Sequence, residues 1–218
     1  MGLVADLEKL RESVLRNSNL DKKKVRKIED KLKDLWRKRI VKSNHSLMEF
    51  LVAVKLIEEG FEVEVENPLT EDLTCDVYAE KNGKALIVEV ETGFVPPYAA
   101  LTPTLYRFVR EVSKIVRYSN YSDLFALATP IHHVLQVPEF YVKSKSFGQA
   151  LRLKEVLDKY YTNPPVSIDE ILSSHIEYVY LVNVDIAWVK RIGVLEYYEN
   201  FTKRHFYNGF IQLDYLIS

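Results

Sequence analysis

The chain has 218 residues, 47% of them hydrophobic and 28% charged, which is typical of one globular domain or of one domain with an appendage. Its net charge of −1 gives no overall reason to expect a nucleic-acid-binding protein. The single cysteine, Cys75, excludes an internal disulfide framework and a cysteine zinc cluster, and it favours a reducing compartment. No apolar run has the length of a membrane span and the first residues lack the apolar core of a signal peptide, so we expect a cytoplasmic (intracellular) protein without membrane contact.

Positive charge is concentrated in the N-terminal part of the chain. Eleven basic and three acidic residues lie between Lys22 and Lys42, a local charge of +8, so the remainder carries −9. This asymmetry is typical of a contact with a polyanion, but also of a plain solvated helix, and both interpretations stay open. The spacing predicts a helix over 4–17 and, after an N-cap at Asp21, a second helix to about Ile40. We expect residues 1–42 to form a helical hairpin packed on the main domain, or a dimerisation arm.

A third helix is predicted from Ser43 to Gly60, and its centre is apolar on nearly every side. Glu49 is the exception. A carboxylate in the middle of a buried helix needs a metal ion, a cation or a cleft. His45 lies one turn earlier on the same face, so Glu49 can also be a residue at the rim of the packed face with His45 as its local partner.

Three strands should follow this helix. Strict alternation over 61–66 predicts a half-exposed strand, and 74–80 predicts the next one. The Asn-Gly pair within 81–84 predicts a hairpin turn, which returns the chain antiparallel along 84–93. Asp76 then lies across the ladder from Glu89, although it can instead cap the preceding loop.

The third predicted strand carries two carboxylates. Residues i and i+2 point to the same face, so Glu89 and Glu91 share one side of a strand that is apolar on both faces. Neighbouring buried acids repel each other and lose hydration, and a divalent cation is the simplest compensation. The alternative is that the strand ends there and water solvates both acids.

A helix from about Thr104 to Tyr118 comes next, followed by a buried strand over 123–129. One side of the helix carries a basic stripe made of Arg107, Arg110, Lys114 and Arg117. This stripe suits contacts with nucleic-acid phosphates beside a carboxylate cluster, or it is only the solvated face of the helix.

The region 131–218 is predicted to complete the same domain, with a helix over 147–161 and a strand over 177–184, while the aromatic tail to Ser218 has no clear assignment. His132 and His133 are interpreted as loop histidines, because no companion ligands stand at a useful spacing.

Four carboxylates are thus expected to converge from neighbouring elements: Glu49, Asp76, Glu89 and Glu91. Such an oxygen-ligand site suits Mg²⁺ or Mn²⁺. A metal ion held in this way polarises a phosphodiester, lowers the pKa of an attacking water and stabilises the leaving oxygen.

The order of these residues resembles the PD-(D/E)XK nuclease superfamily, which includes restriction endonucleases, archaeal Holliday-junction resolvases and RecB-type nuclease domains. The resemblance covers Ser43 to Thr129. It implies an α/β restriction-endonuclease-like fold, a mixed β-sheet flanked by helices with an N-terminal helical extension, whose nuclease-like core spans 43–130. It also implies that Asp76 and Glu89 are metal ligands and that Glu49 is the accessory acid of the preceding helix.

The chain departs from the superfamily motif at two positions. Cys75 stands where the motif has Pro, at a position that varies widely. Glu91 stands where the motif has the Lys that orients or activates water. Glu91 is then a ligand or general base as in some restriction endonucleases, Lys114 supplies the amine from the following helix, or the protein is an inactive member that only binds.

The leading hypothesis is a Mg²⁺-dependent DNA endonuclease in which Asp76, Glu89 and Glu91 hold the ion, Glu49 assists, and Lys114 or Arg110 contacts phosphate. A homodimer is expected by analogy with the superfamily, because two sites cut both strands most simply. The second hypothesis is a catalytically inactive nuclease-fold protein that binds nucleic acid, or serves in an assembly, through the basic helix. The third is a structural α/β protein whose acids are solvated at strand ends.

Overall fold

A computed structural model describes residues 2–16, 18–160 and 164–207. The helices are α1 (Leu3–Leu15), α2 (Lys22–Arg37), α3 (Ser43–Glu58), α4 (Pro103–Tyr118), α5 (Phe147–Leu157), α6 (Ile168–Ser173) and α7 (Val194–Tyr197), the last continued by a π-helical segment (Tyr198–Tyr207). The strands are β1 (Glu62–Pro68), β2 (Thr74–Lys81), β3 (Lys84–Val90), β4 (Leu124–Pro130), β5 (Tyr178–Asn183) and β6 (Trp188–Gly193). The ends predicted at Asn17 and Tyr161, and the tail 208–218, lie outside the described residues.

The six strands form one mixed sheet in the order β1-β2-β3-β4-β5-β6. Strands β1, β2 and β3 are antiparallel, β3, β4 and β5 are parallel, and β6 returns antiparallel to β5. The turn between β2 and β3 has positive φ at both central residues, 55° at Asn82 and 73° at Gly83, as the predicted two-residue hairpin requires. The prediction of an α/β protein with a mixed sheet, flanking helices and an N-terminal helical part is confirmed.

Helices cover both faces of the sheet. Val88, Val90 and Ala128 share a buried cluster with apolar residues of α1, α2 and α3. Ile87 and Leu127, which alternate with them along the strands, pack with α4 residues in a separate cluster on the other face. Because β3 is buried on both sides, polar side chains at its end lie between α3 and α4.

The basic helix α2 is fixed to the body of the protein by ion pairs. Lys24 and Lys27 pair with Glu62 and Glu64 of β1. Both oxygens of buried Glu29 accept hydrogen bonds from Arg11 of α1, and the Lys33 ammonium lies 2.7 Å from Glu29 Oε1. Part of the local +8 charge is therefore neutralised within the protein. Other basic residues of this region remain solvent-exposed, namely Lys22, Lys23, Arg26, Lys38, Arg39 and Lys42.

Among the described helices, none combines the length and the apolar character needed to cross a membrane.

Candidate metal centre

The ladder between β2 and β3 opens at one end, and two carboxylates occupy the opening. The paired register runs from Lys81 opposite Lys84 to Val77 opposite Val88. Beyond it, the Asp76 backbone N–H donates to Glu89 Oε1 at 2.9 Å, and the Val90 N–H donates to Asp76 Oδ2 at 2.6 Å. Side-chain oxygens thus replace the ladder partners of two buried backbone donors. Both carboxylates are held rigidly between the diverging strands.

Helix α3 brings a third carboxylate to this opening. Glu49 is fully buried, and neither of its oxygens accepts a hydrogen bond from any residue in the described ranges. Its Oε1 lies 3.2 Å from His45 Nε2, which is itself 3.0 Å from Asp76 Oδ1. One ligand atom from each of His45, Glu49 and Asp76 lies within 4.8 Å of the other two, close enough for one metal ion. From the sequence, His45 is expected only as a local partner of Glu49, whereas in the structure it belongs to this group.

The carboxylates at this opening repel one another, and burial opposes their ionisation. Burial, and then repulsion by Asp76, raises the pKa of Glu49 and of Glu89 well above the ordinary range of a glutamic acid. Burial also opposes the ionisation of Asp76, but the attraction of Lys114 and His45 outweighs it and lowers the pKa of this group. A buried carboxylate without a hydrogen-bond donor is costly unless a cation compensates it. The donor set therefore fits a divalent metal ion.

A divalent ion such as Mn²⁺ or Mg²⁺ is expected to raise the Tm of the wild-type protein, and the exchange Glu49→Gln is expected to abolish most of this stabilisation. The amide preserves the shape of the side chain and removes one negative ligand from the group. A metal ion at a hundred times its Kd stabilises by about 2.7 kcal/mol through mass action, which is a shift of several degrees in Tm for a chain of this size. Calorimetry with and without metal measures it. Glu58→Gln, at an exposed position of the same helix, should keep the full shift. An undiminished shift in Glu49→Gln would exclude Glu49 as a ligand.

Lys114 of α4 turns inward, away from the predicted solvated stripe, and its side chain is only 13% exposed. Its ammonium lies 3.3 Å from Asp76 Oδ2, 3.1 Å from Glu89 Oε2 and 3.0 Å from Glu91 Oε1, and it donates to the Val90 carbonyl at 2.8 Å. Burial lowers the pKa of Lys114, but attraction by these three carboxylates is stronger and raises it well above the ordinary value. Lys114 is thus a permanent internal cation.

The other predicted basic residues have different partners. Arg110 Nε donates to both oxygens of Glu91, at 3.0 and 2.9 Å, so Glu91 is held by two cations rather than belonging to the His45 group. Arg107 contacts His133, 3.2 Å from its Nδ1, and Arg117 donates to the Pro164 carbonyl. In the described part of the chain, the contacts between the basic stripe and the predicted carboxylates are thus made by Arg110 and Lys114.

Glu66 is a further acid near the centre, and it is not among the residues predicted from the sequence. It lies in β1 between the pairs Val65–Val77 and Asn67–Cys75, which places it beside Asp76. Burial, and then repulsion by Asp76, raises the pKa of Glu66. Its φ of 46° is in the left-handed region, which is strained for a side chain of this type. A glutamate in an alternating strand carries no sequence signal for such a backbone, so only the structure reveals it.

A cleft of about 760 Å³ adjoins the carboxylates. The α2–α3 connection forms one wall, and the loop from β3 to α4 forms the other. The lining side chains include His45 and Glu66 from the metal centre, and the others are Ile40, Val41, Lys42, Asn44, Thr92, Phe94, Pro96, Tyr98, Tyr106 and Arg110.

A second buried polar cluster supports the loop that leaves β3. His133, 5% exposed, lies with its Nε2 3.0 Å from Glu111 Oε1, while Glu111 Oε2 accepts a hydrogen bond from the Gln136 N–H at 2.6 Å. Burial raises the pKa of Glu111 although His133 opposes the shift. His133 lies in the loop after β4, as predicted. The sequence did not indicate its buried partner Glu111.

Gly93 is the position where this cluster meets the loop, and Gly93→Ala is expected to destabilise the protein by about 2 kcal/mol or more. Gly93 has φ +75°, and a Cβ there would lie 2.8 Å from His133 Nδ1 in a ring held by Glu111. Gly83→Ala is the matched control, because Gly83 has φ +73° and the described residues leave open space around its Cβ position. It should show only the backbone cost of about 1 kcal/mol. Urea unfolding measures both, and equal losses would contradict the proposed clash.

No protein-family model, curated protein or solved structure matches the chain.

Proposed function

We propose that the protein is a metal-dependent nuclease that hydrolyses phosphodiester bonds of DNA. The observation that carries the proposal is the fully buried Glu49 carboxylate, which accepts no hydrogen bond from the described residues, although its Oε1 lies 3.2 Å from His45 Nε2, and whose ligand atom lies within 4.8 Å of those of His45 and Asp76. In an ion pair that serves only stability, the buried carboxylate accepts hydrogen bonds from its partner, and Glu49 accepts none from the described residues. A divalent cation satisfies it directly.

The arrangement of elements supports assignment to the PD-(D/E)XK superfamily. Helix α3 precedes the antiparallel strands β1 to β3, helix α4 then crosses the sheet, and β4 lies parallel to β3. This is the order that the sequence resemblance implies for a restriction-endonuclease-like fold. Asp76 and Glu89 meet at the open end of the β2–β3 hairpin, where the motif places its two acids.

The residues that would hold the ion are Asp76, Glu49 and His45, with Glu89 adjoining them. A bound ion supplies a Lewis acid that polarises the phosphodiester and lowers the pKa of a water molecule. An imidazole nitrogen among carboxylate oxygens favours Mn²⁺ over Mg²⁺, because Mg²⁺ is a hard cation that prefers oxygen ligands. We therefore expect activity with both ions and higher activity with Mn²⁺.

Lys114 takes the role that the motif assigns to the lysine two residues after Glu89. Glu91 occupies that sequence position, and its carboxylate pairs with Arg110 and Lys114. The Lys114 ammonium reaches the same region from α4, 3.1 Å from Glu89. Its raised pKa keeps it protonated, so it donates hydrogen bonds to the acids, to a phosphate oxygen or to the attacking water, and it does not act as a general base.

Metal-dependent cleavage is the decisive experiment. The purified protein is incubated with linear duplex, single-stranded and four-way-junction DNA in Mn²⁺, Mg²⁺ or EDTA, with Glu89→Gln in parallel. Cleavage that needs the metal and disappears in the variant supports the proposal. Cleavage that persists in EDTA, or that is equal in the variant, overturns it.

A catalytically inactive DNA-binding protein is the second candidate, and the exposed basic residues favour it. Lys38, Arg39 and Lys42 lie at the α2–α3 connection, which forms one wall of the cleft, and are solvent-exposed. Binding that weakens steeply with salt, together with no turnover in any metal, would identify this function.

A further inference from the structure

We propose that the cleft beside the carboxylates binds unpaired bases, so that the substrate of the metal centre is single-stranded nucleic acid or a strand with unpaired nucleotides. This inference rests on the proposed nuclease function, since it names the substrate class of the same site. It is carried by the aromatic side chains of the cleft and by the charges that surround them.

The loop from β3 to α4 carries two solvent-exposed aromatic side chains. Phe94 is 63% exposed and Tyr98 is 78% exposed, and both line the cleft. Tyr106 lies behind them, 7% exposed, with its ring edge-on to Tyr98 at a centroid distance of 5.9 Å. Exposure of large apolar side chains to water is unfavourable, and a cluster of them beside a charged site marks a binding surface. Aromatic faces bind nucleobases of any sequence by stacking.

These aromatic residues line the same cleft as His45 of the metal centre, and Phe94 is also close along the chain to Glu91, the partner of Arg110 and Lys114. Phe94 follows Glu91 by three residues, so an extended chain separates them by at most about 10 Å. Gly93, between them, packs against the buried His133. The loop therefore begins at a fixed point beside Glu91, and a base stacked on Phe94 would lie in the cleft that His45 and Glu66 also line.

The opposite wall complements the phosphate backbone. Lys42 lines the cleft, and exposed Lys38 and Arg39 precede it in the same connection. Arg39 has φ +60°, a left-handed conformation that ends α2 and turns the chain into this wall. Exposed Ile40, 62% accessible, adds apolar surface there. A groove with basic residues on one wall and aromatic residues on the other is the arrangement found in single-strand binding.

The geometry of stacking indicates that the cleft binds unpaired bases rather than paired ones. In a duplex each base is stacked between its neighbours and is inaccessible to a side chain unless the strand is opened. A cleft of about 760 Å³ lies within the size range of small-ligand sites and accommodates individual nucleotides.

Fluorescence anisotropy of a labelled oligonucleotide tests the proposal directly. The wild-type protein is titrated into a single strand, its duplex, and the same single strand with abasic sites, in Ca²⁺, with gels to confirm that the DNA is intact. Phe94→Ala and Tyr98→Ala are compared with Phe147→Ala. Phe147 is the matched control, because it is 62% exposed but lies on α5 outside the cleft.

We expect the single strand to bind at least about tenfold more tightly than the duplex or the abasic strand, and Phe94→Ala and Tyr98→Ala to lose about tenfold each. Phe147→Ala should bind as the wild type does. Equal affinity for duplex and single strand, or unchanged binding in both cleft variants, overturns the proposal even if the protein cuts DNA. Aromatic-dependent binding without cleavage in Mn²⁺ or Mg²⁺ leaves the cleft as a single-strand site and rejects the nuclease instead.

Discussion

Asp76→Asn and Glu89→Gln are each expected to lower metal-dependent cleavage by at least about a thousandfold, which corresponds to roughly 4 kcal/mol of transition-state stabilisation. Asp76 would bind the ion directly, together with His45 and Glu49. Each exchange replaces a charged carboxylate with a neutral amide. The loss should appear mainly in kcat, because positioning and charge stabilisation act in the transition state more than in substrate binding.

The same variants should remain folded. The amide oxygen that Asp76→Asn introduces can still accept from the Val90 N–H, and the one that Glu89→Gln introduces can still accept from the Asp76 N–H. The open end of the hairpin therefore keeps its backbone contacts. Glu80→Gln is the matched control, since Glu80 is an exposed carboxylate on the same strand as Asp76. Circular dichroism and Tm confirm folding beside the kinetic assay. Wild-type rates in both folded variants would reject the site.

The proximity of Asp76 and Glu89 was predictable because a tight hairpin turn fixes which residues of the two strands lie opposite each other. Asn82 and Gly83 determine the hairpin turn, the turn determines the register, and the register places Asp76 beside Glu89. The burial of Glu49 was also predictable from a helix that is apolar on nearly every side. These features depend on local patterns that the sequence displays directly.

Other parts of the centre depend on tertiary contacts. Spacing alone gives Lys114 to a basic stripe, and only the family resemblance offered it as the amine beside the acids; it turns inward because Asp76, Glu89 and Glu91 attract it. Glu66 reaches the site through a left-handed backbone that no glycine marks. The buried contact between Glu111 and His133 joins residues 22 positions apart, in a helix and in a loop beyond the next strand. Sequence spacing contains no information on such contacts.

The exchange Lys114→Met should destabilise the metal-free protein by about 3–5 kcal/mol, the usual cost of removing one partner from a buried ion cluster. Methionine fills the volume of the lysine stem but leaves Asp76, Glu89 and Glu91 without their shared cation. Lys143→Met is the control. Its exposed pair with Glu139 on the surface contributes at most about 1 kcal/mol. Urea unfolding of the three proteins measures the differences.

The destabilisation of Lys114→Met should grow with pH and shrink with metal. Without the ammonium, the folded-state pKa values of Glu89 and Asp76 rise, and a group with a raised folded pKa contributes stability below its unfolded pKa that is lost as pH increases through the folded value. Each acid widens the gap between variant and wild type as pH rises from its wild-type to its variant folded-state pKa, so the gap opens in the acidic range through Asp76, whose wild-type pKa is lowered, and widens further above the ordinary range of a glutamic acid through Glu89, whose wild-type pKa is already raised. Mn²⁺ should raise the Tm of the variant more than that of the wild type, because the ion then compensates acids that Lys114 otherwise neutralises. A loss of stability that is independent of both pH and Mn²⁺ would show that Lys114 acts by packing alone, and that the acids around it do not form a cation site.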